Sequence, residues 1–327
     1  MNATIAICTR NRCEPLEKTL ANLVARGVPA QGAGEVLVID NGSTDATPEV
    51  VRKHAGALPI RYLREPRPGV AFARNRALEE FRGDCLVYLD DDVMVSRDWL
   101  PALLAPVRSG DYDGALGYVR FPEHIAALAL PRQLAYYYAW VDEGVFENGV
   151  ARWVVSANLC IARRALAPGL RFDVELGPGR MGFCEDILFG KQLATLGRRI
   201  AGAPEAWVEH WFDVGRLSDA SACASAWKMG ASDAYIAHHW MHHTESMIPA
   251  RLARLYARRA VFKLFQNRRQ PGSALSACLP GLCVNYRFEG YLRAMRRLRG
   301  QPHYYARQGI RKEGGQLWEA AAPGERA

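Results

Sequence analysis

A regular alternation of short apolar runs and helix-like segments in the first part of the chain is the feature that most constrains its fold. Apolar runs predict strands at residues 4–8, 35–39, 60–63 and 86–89, and helical spacing predicts helices at 15–25, 47–54 and 70–81. Strands that alternate with helices favour an α/β fold with a doubly wound, mostly parallel sheet. The unbroken apolar character of the runs is typical of strands that are covered on both faces.

Polar clusters follow three of these strands. Thr9-Arg10-Asn11 follows the first strand, residues 40–45 follow the second, and Asp90-Asp91-Asp92 follows the fourth. Ligands of doubly wound sheets bind outside the carboxyl ends of the strands. Each cluster alone could be turn chemistry, but together they favour a single nucleotide pocket.

The three consecutive aspartates need a counter-charge, because packed carboxylates repel each other and raise each other's pKa. Mg²⁺ or Mn²⁺ would relieve this repulsion, and such ions commonly carry substrate phosphates as well. The alternative is a solvated acidic turn that caps a helix predicted at residues 99–104.

Two common phosphate-binding motifs are missing from the sequence. GxGxxG does not follow the first strand, which argues against a dinucleotide-dependent dehydrogenase, and GxxxxGK[ST] does not occur, which argues against a P-loop NTPase. A diphosphate would therefore have to be held by a metal ion and basic side chains.

Length and composition fit one large α/β domain with an extension. The chain has 327 residues, of which 49% are hydrophobic. We expect no signal peptide, and no apolar run approaches the roughly 18 residues needed to span a bilayer. The eight cysteines show no CxxC pairing, which predicts buried thiols in a reducing cytosol rather than disulfides or a zinc cluster. A cytoplasmic protein is the expectation.

The positive charge of the chain is concentrated near its C-terminus. Residues 251–312 contain fifteen Lys and Arg and one acid, Glu289, whereas the rest of the chain has a net charge of −6. Amphipathic basic helices are predicted at 250–265 and 291–299, separated by Arg268-Arg269-Gln270-Pro271-Gly272 and by an apolar stretch at 274–284 that Pro280-Gly281 breaks. Such helices favour peripheral contact with an anionic membrane. A nucleic-acid surface and a solvated helix pair packed on the sheet domain are the alternatives.

An ordered set of motifs across residues 3–215 resembles family 2 glycosyltransferases, which have the nucleotide-sugar-binding fold called GT-A. The matching pieces are Cys8-Thr9-Arg10-Asn11-Arg12, Asp40-Asn41-Gly42-Ser43-Thr44-Asp45, Gly69-Val70-Ala71-Phe72-Ala73-Arg74-Asn75-Arg76, Leu89-Asp90-Asp91-Asp92, Ser156-Ala157-Asn158 with Arg163-Arg164, and Phe172-Asp173 leading to Gly182-Phe183-Cys184-Glu185-Asp186. The resemblance implies a GT-A catalytic domain at 1–215 and a helical, basic C-terminal extension at 216–327. It also implies metal-dependent, inverting sugar transfer from a nucleotide-diphosphate sugar, most simply a UDP-sugar, to a polysaccharide, lipid-linked sugar or small glycoside.

The resemblance also assigns residues to the donor. Thr9, Arg10 and Asn11 would line its base and ribose end, and Asp40 would accept a hydrogen bond from the base. Arg67, Arg74 and Asn75 would border the diphosphate or ribose, since guanidinium groups suit phosphate oxygens. A surface position on a helix is the alternative for Arg74.

The aspartates and one histidine complete this expected site. Asp90 would touch the ribose, Asp92 would bind Mg²⁺ or Mn²⁺, and Asp91 is the least defined of the three. His210 follows a strand-like segment and would complete the metal sphere, although a lone histidine is more often structural.

Glu185-Asp186 stands at the start of a helix predicted at 187–196, where acids are favoured for electrostatic reasons alone. By the resemblance, Asp186 is the general base for the acceptor hydroxyl and Glu185 orients acceptor or base. A single displacement then inverts the anomeric carbon.

Several other features stay open at the level of sequence. His238, His239, His242 and His243 have helical spacing that permits metal binding, but a polar helix face or an acceptor-side wall is preferred. Trp153, Trp207 and Trp211 fit core packing better than sugar stacking. A sugar nucleotidyltransferase would need a glycine-rich loop after the first strand. A nucleic-acid-binding protein would leave the acidic clusters unexplained, so no nucleic acid is expected.

Overall fold

The computed structural model describes residues 1–128, 130–265 and 279–313. The predicted basic segment 268–272 and the first part of the apolar stretch, 274–278, lie outside these residues. The strands are β1 Ala3–Thr9, β2 Ala33–Asp40, β3 Ile60–Arg64, β4 Cys85–Leu89, β5 Val93–Val95, β6 Gly114–Arg120, β7 Phe146–Glu147, β8 Val150–Ala151, β9 Asn158–Ala162 and β10 Ile200–His210. The helices are α1 Cys13–Ala25, α2 Thr47–His54, α3 Val70–Glu80, α4 Trp99–Arg108, α5 Glu123–Ala126, α6 Arg132–Ala135, α7 Glu185–Thr195, α8 Asp219–Tyr235, α9 Ile248–Phe265 and α10 Leu279–Leu298.

One mixed sheet organises the chain, in the order β3-β2-β1-β4-β9-β6-β10-β8-β7, with β5 added to β10. Strands β3, β2, β1 and β4 are parallel, and β9 runs antiparallel to both of its neighbours, β4 and β6. The predicted mostly parallel α/β sheet is therefore confirmed, with β9 reversed in its centre and β5 and β8 antiparallel to β10.

The residues that follow β4 differ from a simple strand end. β4 stops at Leu89, and the chain resumes as β5, which pairs antiparallel with β10 so that Val93 faces His210. The three aspartates therefore link two strands and are brought against the end of β10.

The reversed strand β9 is fixed by a buried amide. Asn158, which has no exposed surface, accepts a hydrogen bond from the indole nitrogen of Trp99 at 2.8 Å and donates one to the carbonyl oxygen of Ala206. A Cβ on Gly117 would lie 2.1 Å from this carbonyl oxygen, so a glycine is required where β6, β9 and β10 meet.

Helices α8 and α10 pack backbone to backbone beside the sheet. A Cβ on Gly230 would lie 1.8 Å from the carbonyl oxygen of Arg287, and a Cβ on Gly290 would lie 2.0 Å from that of Trp227.

The expected break at Pro280-Gly281 is wrong, because both residues lie in the first turn of α10, where proline is tolerated. The predicted helix at 291–299 is the second half of α10.

A fully buried carboxylate ties the last described segment to the sheet domain. Asp173 accepts hydrogen bonds from the hydroxyls of Tyr235 at 2.8 Å and Tyr305 at 2.7 Å. Its other oxygen accepts from the ammonium of Lys312 at 2.9 Å. Helix α8 and residues 304–313 are thereby joined to the segment that leads into α7.

The predicted polar helix face at the histidines is wrong. Residues Ile236–Trp240 form a π-helix in which His238 and His239 are buried, and burial lowers the pKa of His239 to about 4. His238 donates to the carbonyl oxygen of Gln301, and His242 stacks on His303 with 3.8 Å between ring centroids. Within the described part of the chain these histidines do not bring three ligand atoms into metal-binding range.

Two further features concern the cysteines and helices of the described residues. The seven described cysteines are free thiols, and five of them are buried. Across the described ranges, no helix combines the length and apolar character that crossing a bilayer requires.

Candidate active site

A cavity of about 890 Å³ opens at the carboxyl ends of β1 and β4. It is large enough for a nucleotide-sized ligand. Its walls include nine of the residues proposed from sequence, which are Thr9, Arg10, Arg74, Asp90, Asp91, Asp92, Glu185, Asp186 and His210. The clusters after the first and fourth strands thus converge as expected, whereas only Asn41 of the cluster at residues 40–45 lines the cavity.

Asp90, Asp92 and His210 form a group that fits a divalent cation. One ligand atom from each residue lies within 4.8 Å of the others, and Nε2 of His210 is 3.3 Å from Oδ2 of Asp92. Nδ1 of His210 lies 2.9 Å from the carbonyl oxygen of Tyr138, to which it donates. This hydrogen bond directs Nε2 towards the carboxylates, as is usual for metal-binding histidines.

Arg12 is a residue of this site that the sequence analysis did not select. Its Nε donates to Asp91 at 2.8 Å, and a terminal nitrogen of the same guanidinium forms an ion pair with Asp92. Arg12 stands at the end of the first strand-end motif, and that position was the available clue.

Burial and these charges set the protonation of the aspartates. Burial raises the pKa of the Asp91 carboxyl to about 7, with the Arg12 charge acting in the opposite direction. Burial also acts to raise the pKa of Asp92, but the facing His210 and Arg12 hold it below its usual value. Both aspartates are only 6% exposed, and Asp98 rather than either of them precedes α4. The solvated helix-capping turn is therefore wrong.

Arg74 and Glu185 form a buried ion pair in the cavity wall. Arg74 is 8% exposed, donates to the Glu185 carboxylate and lies 3.7 Å from Asp90. The surface-helix alternative for Arg74 is thus wrong. Burial raises the pKa of Glu185 to about 7, and the Arg74 charge opposes this rise.

Asp186 has a different environment from its neighbour. Its Oδ2 accepts from the backbone nitrogen of Ser156 at 3.2 Å, and its Oδ1 accepts from the backbone nitrogen of Ile187 at 2.8 Å. Among the described residues, no cation pairs with Asp186. Cys184, with φ of 71°, turns the chain into α7 just before the two acids.

Asn11 and Asp40 shape the loop after β2 and do not line the cavity. Asp40 is 1% exposed, accepts from the backbone nitrogen of Ser43 at 2.7 Å and also accepts from the hydroxyl of Tyr62. Asn11 Oδ1 accepts from the backbone nitrogen of Thr44 at 2.7 Å.

Arg67 and Asn75 also lie outside the cavity wall. Arg67 donates twice to Glu65, with both distances 2.8 Å. The amide of Asn75 makes two hydrogen bonds with the backbone of Phe172, each 2.9 Å long. Their expected contacts with a donor stay predictions.

The far wall of the cavity carried no expectation from sequence except at Trp153, for which sugar stacking was the less favoured alternative. It is built by segments distant along the chain and includes Tyr136, Tyr137, Tyr138, Trp153, Lys191, Arg216, Met229, Asp233 and Arg287. Trp153 packs against the core and also lines the cavity, whereas Trp207 and Trp211 do not line it. The expected core packing is wrong for Trp211, which is 45% exposed. No motif marks these residues, because α7, α8 and α10 meet only in the folded chain.

A family model matches the N-terminal part of the chain, which contains the strand-end residues of this site from Thr9 to Asp92. Residues 4–133 match the model of the family described as glycosyl transferase family 2. The succinoglycan biosynthesis protein ExoM of Rhizobium meliloti is 33% identical over 218 residues, which cover 64% of this chain and 66% of ExoM. Other curated relatives are matched over 21% and 50% of their lengths, so the chain spans less than two thirds of them.

Solved structures with this fold are also similar. A mannosyltransferase from Pyrobaculum calidifontis, PcManGT, in complex with GDP-Man and Mn²⁺, has a TM-score of 0.55 and 20% identity over 91% of this chain and 86% of that one. TarS residues 1–349 from S. aureus in complex with UDP-GlcNAc have a TM-score of 0.52 and 17% identity over 94% and 93%. At these identities the likeness concerns the fold, and it confirms the predicted GT-A architecture.

Proposed function

We propose that this chain, which belongs to glycosyl transferase family 2, moves a sugar from a nucleotide-diphosphate sugar to an acceptor hydroxyl with inversion and in a metal-dependent way. One observation carries the proposal. Asp186, which has no cationic partner among the described residues, lines the same cavity as the Asp90, Asp92 and His210 group.

Asp90, Asp92 and His210 would hold Mg²⁺ or Mn²⁺, because two carboxylates and an oriented imidazole are suitable ligands. The bound ion would supply positive charge for the diphosphate leaving group. The chain's own cations, Arg12 beside the aspartates and Arg216 in the same wall, would add to that charge.

The donor would lie along the ends of β1 and β2. Thr9, Arg10 and Asn11 are proposed for its base and ribose end, and Asp40 for the base. Arg67, Arg74, Asn75, Asp90 and Asp91 are proposed for the ribose and diphosphate. A UDP-sugar is the preferred donor, since TarS was solved with UDP-GlcNAc, although PcManGT was solved with GDP-Man.

Asp186 would take the proton from the acceptor hydroxyl as that oxygen attacks the anomeric carbon from the side opposite the diphosphate. The Ser156 and Ile187 backbone nitrogens fix its carboxylate in the cavity wall. Glu185, held by Arg74, would orient the base or the acceptor rather than act as the base itself.

The acceptor is proposed to be a glycan or a lipid-linked sugar, and the protein to act in the cytoplasm, with peripheral contact at the inner membrane face. Helix α9 supports such contact, because exposed Arg254 and Arg258 accompany Val261 and Leu264, which are 54% and 79% exposed. Arg259 and Arg293 are instead paired with Glu289. The variant that tests this contact therefore reverses the charges of Arg254 and Arg258. Unchanged flotation of that double variant with anionic vesicles would contradict an electrostatic contact.

The test of the whole proposal is a screen of nucleotide sugars for Mn²⁺-dependent hydrolysis by the full chain. We expect one donor to be hydrolysed and to raise the melting temperature only when metal is present. Hydrolysis unaffected by EDTA, or no protection by any nucleotide sugar, would contradict it. Neither a sugar nucleotidyltransferase nor a nucleic-acid-binding protein is favoured by any observation on the site.

A further inference from the structure

The cavity contains more cations than its own carboxylates neutralise. Three of its arginines are paired, since Arg12 contacts Asp91 and Asp92, Arg74 contacts Glu185, and Arg287 contacts Asp233 at 2.7 Å. Four further cations in the cavity wall form no ion pair with any residue that the structure describes, namely Arg10, Arg152, Lys191 and Arg216.

Two of these four lie at the donor end. Arg10 directly follows β1, and the charge of Arg216 acts on the Asp92 carboxylate. A metal-bound diphosphate would engage both. Lys191, which is half-buried, has no such explanation. The exposed Arg152 donates to the carbonyl oxygen of Gly144, but its charge has no carboxylate partner among the described residues.

Lys191 and Arg152 belong to the two segments that hold Asp186. Lys191 is on α7, the helix whose first turn contains Asp186, and Arg152 is shortly before Ser156, whose backbone nitrogen binds the Asp186 carboxylate. The segments are in close contact, because a Cβ on Gly190 would lie 2.7 Å from Val154 Cγ2. Both cations therefore flank the part of the cavity where an acceptor hydroxyl would meet Asp186.

Aromatic rings accompany these cations. The Arg152 guanidinium lies 5.1 Å from the centre of the Trp153 ring, which packs edge-on against Tyr136 at 5.9 Å. The Lys191 ammonium lies 5.9 Å from the Trp240 ring. A half-buried ammonium without a carboxylate partner has lost part of its hydration. A bound anion would compensate for that lost hydration.

We propose that the acceptor carries an anionic group, a phosphate or a carboxylate, which Lys191 binds together with Arg152 while the acceptor sugar packs on Trp153. This inference rests on the proposed function, since it identifies the Asp186 side of the cavity as the acceptor side. Lys191 is then a specificity-determining residue for the acceptor, without a part in donor binding.

The test compares matched neutral and charged sugars by ligand-observed NMR on the full chain saturated with UDP and Mg²⁺, so that the diphosphate end is filled. The probes are the methyl glycosides, the methyl uronides and the 6-phosphates of glucose and galactose. We expect at least one charged sugar to bind about tenfold more tightly than its neutral counterpart, and raising NaCl from about 50 mM to about 500 mM to shrink this preference. A stronger preference for the phosphate identifies a phosphorylated or diphosphate-linked acceptor, and one for the carboxylate identifies an acidic sugar.

Variants of Lys191 test whether this residue causes the preference for charged sugars. Lys191→Met and Lys191→Gln are expected to bind charged and neutral sugars within about twofold of each other, whereas Lys191→Arg and the exposed control Lys18→Met keep the wild-type preference. UDP affinity, measured in the same samples, reports correct folding. The inference is overturned if the wild type binds charged and neutral sugars equally or binds neither. It is also overturned if Lys191→Met keeps the preference for charged sugars. If one of these outcomes is found in protein that binds UDP with Mg²⁺ and hydrolyses a donor, this inference fails and the proposed function stands.

Discussion

Nε2 of His210 faces Oδ2 of Asp92 across 3.3 Å, while Nδ1 of the same ring is held by the carbonyl oxygen of Tyr138. The residues are far apart in sequence, and they meet because β5 pairs with the end of β10. The imidazole is thus oriented by the backbone, independently of any ligand.

We expect Asp92→Asn to lower Mn²⁺ affinity by at least about tenfold, because it removes a charged ligand from the group. Electron paramagnetic resonance of free Mn²⁺ measures this directly, without a substrate. Asp111→Asn is the matched control, since Asp111 is exposed and far from the cavity wall. Wild-type Mn²⁺ affinity in Asp92→Asn would mean that the ion binds elsewhere.

We expect Asp186→Asn to bind the donor within about twofold of wild type but to transfer sugar at least about a hundredfold more slowly, because the amide cannot accept the acceptor's proton. Single-turnover transfer and donor titration, using the nucleotide sugar found by the screen, separate the two effects. Full turnover by this variant would remove Asp186 as the base.

The raised pKa of Asp91 predicts a pH-dependent stability in metal-free buffer. An aspartate in an unfolded chain titrates near pH 4, so between about pH 4 and about 7 the folded protein keeps a proton that the unfolded chain has lost. The resulting stability is fully present below about pH 4 and is lost as the pH rises through about 7. We therefore expect wild type to lose stability relative to Asp91→Asn between pH 4.5 and 7.5, by at most about 1.4 kcal/mol per pH unit, in urea unfolding. Parallel pH curves for the two proteins would contradict this.

Lys312→Met is expected to lower the free energy of unfolding by about 3 kcal/mol, because it removes the cationic partner of the buried Asp173 and leaves only the two tyrosine hydroxyls as donors. Urea denaturation measures the loss, and Lys18→Met is the control for removing an exposed lysine. Adding Asp173→Asn to Lys312→Met should recover part of the stability. A loss of under about 0.5 kcal/mol in Lys312→Met would show that the pair contributes little.

The sheet and the donor end of the site were predictable because both depend on local pattern. Apolar runs indicated the first four strands, and the polar residues after them had to meet at one edge of a parallel sheet. Helix α2 was predicted with the bounds that the structure has. The clusters that contain Thr9 and the three aspartates could therefore be expected at one pocket from the residue pattern, whereas the roles of single residues came from the family resemblance.

Features that depend on distant contacts could not be predicted in the same way. Nothing in the local sequence of Asp173 indicates that Tyr235, Tyr305 and Lys312 converge on it. The reversal of β9 depends on where Asn158 finds its partners, and the burial of Arg74 depends on Glu185, which lies on another element. The helical spacing of the histidines suggested a regular helix. Residues Ile236–Trp240 instead form a π-helix, against which residues 301–305 pack.

The reversal of β9 determines where the chain leaves and re-enters the centre of the sheet beside the cavity. Because β6 ends and β9 begins at the cavity edge of the sheet, residues 121–157 connect two strand ends at the same rim, and β7 and β8 within this segment extend the sheet beside β10. This segment supplies Trp153 and the Ser156 contact to Asp186, and it also supplies the Tyr138 carbonyl oxygen that orients His210. We therefore expect a change in the length of this segment to act on both parts of the cavity, on Asp186 through Ser156 and on the proposed metal group through Tyr138.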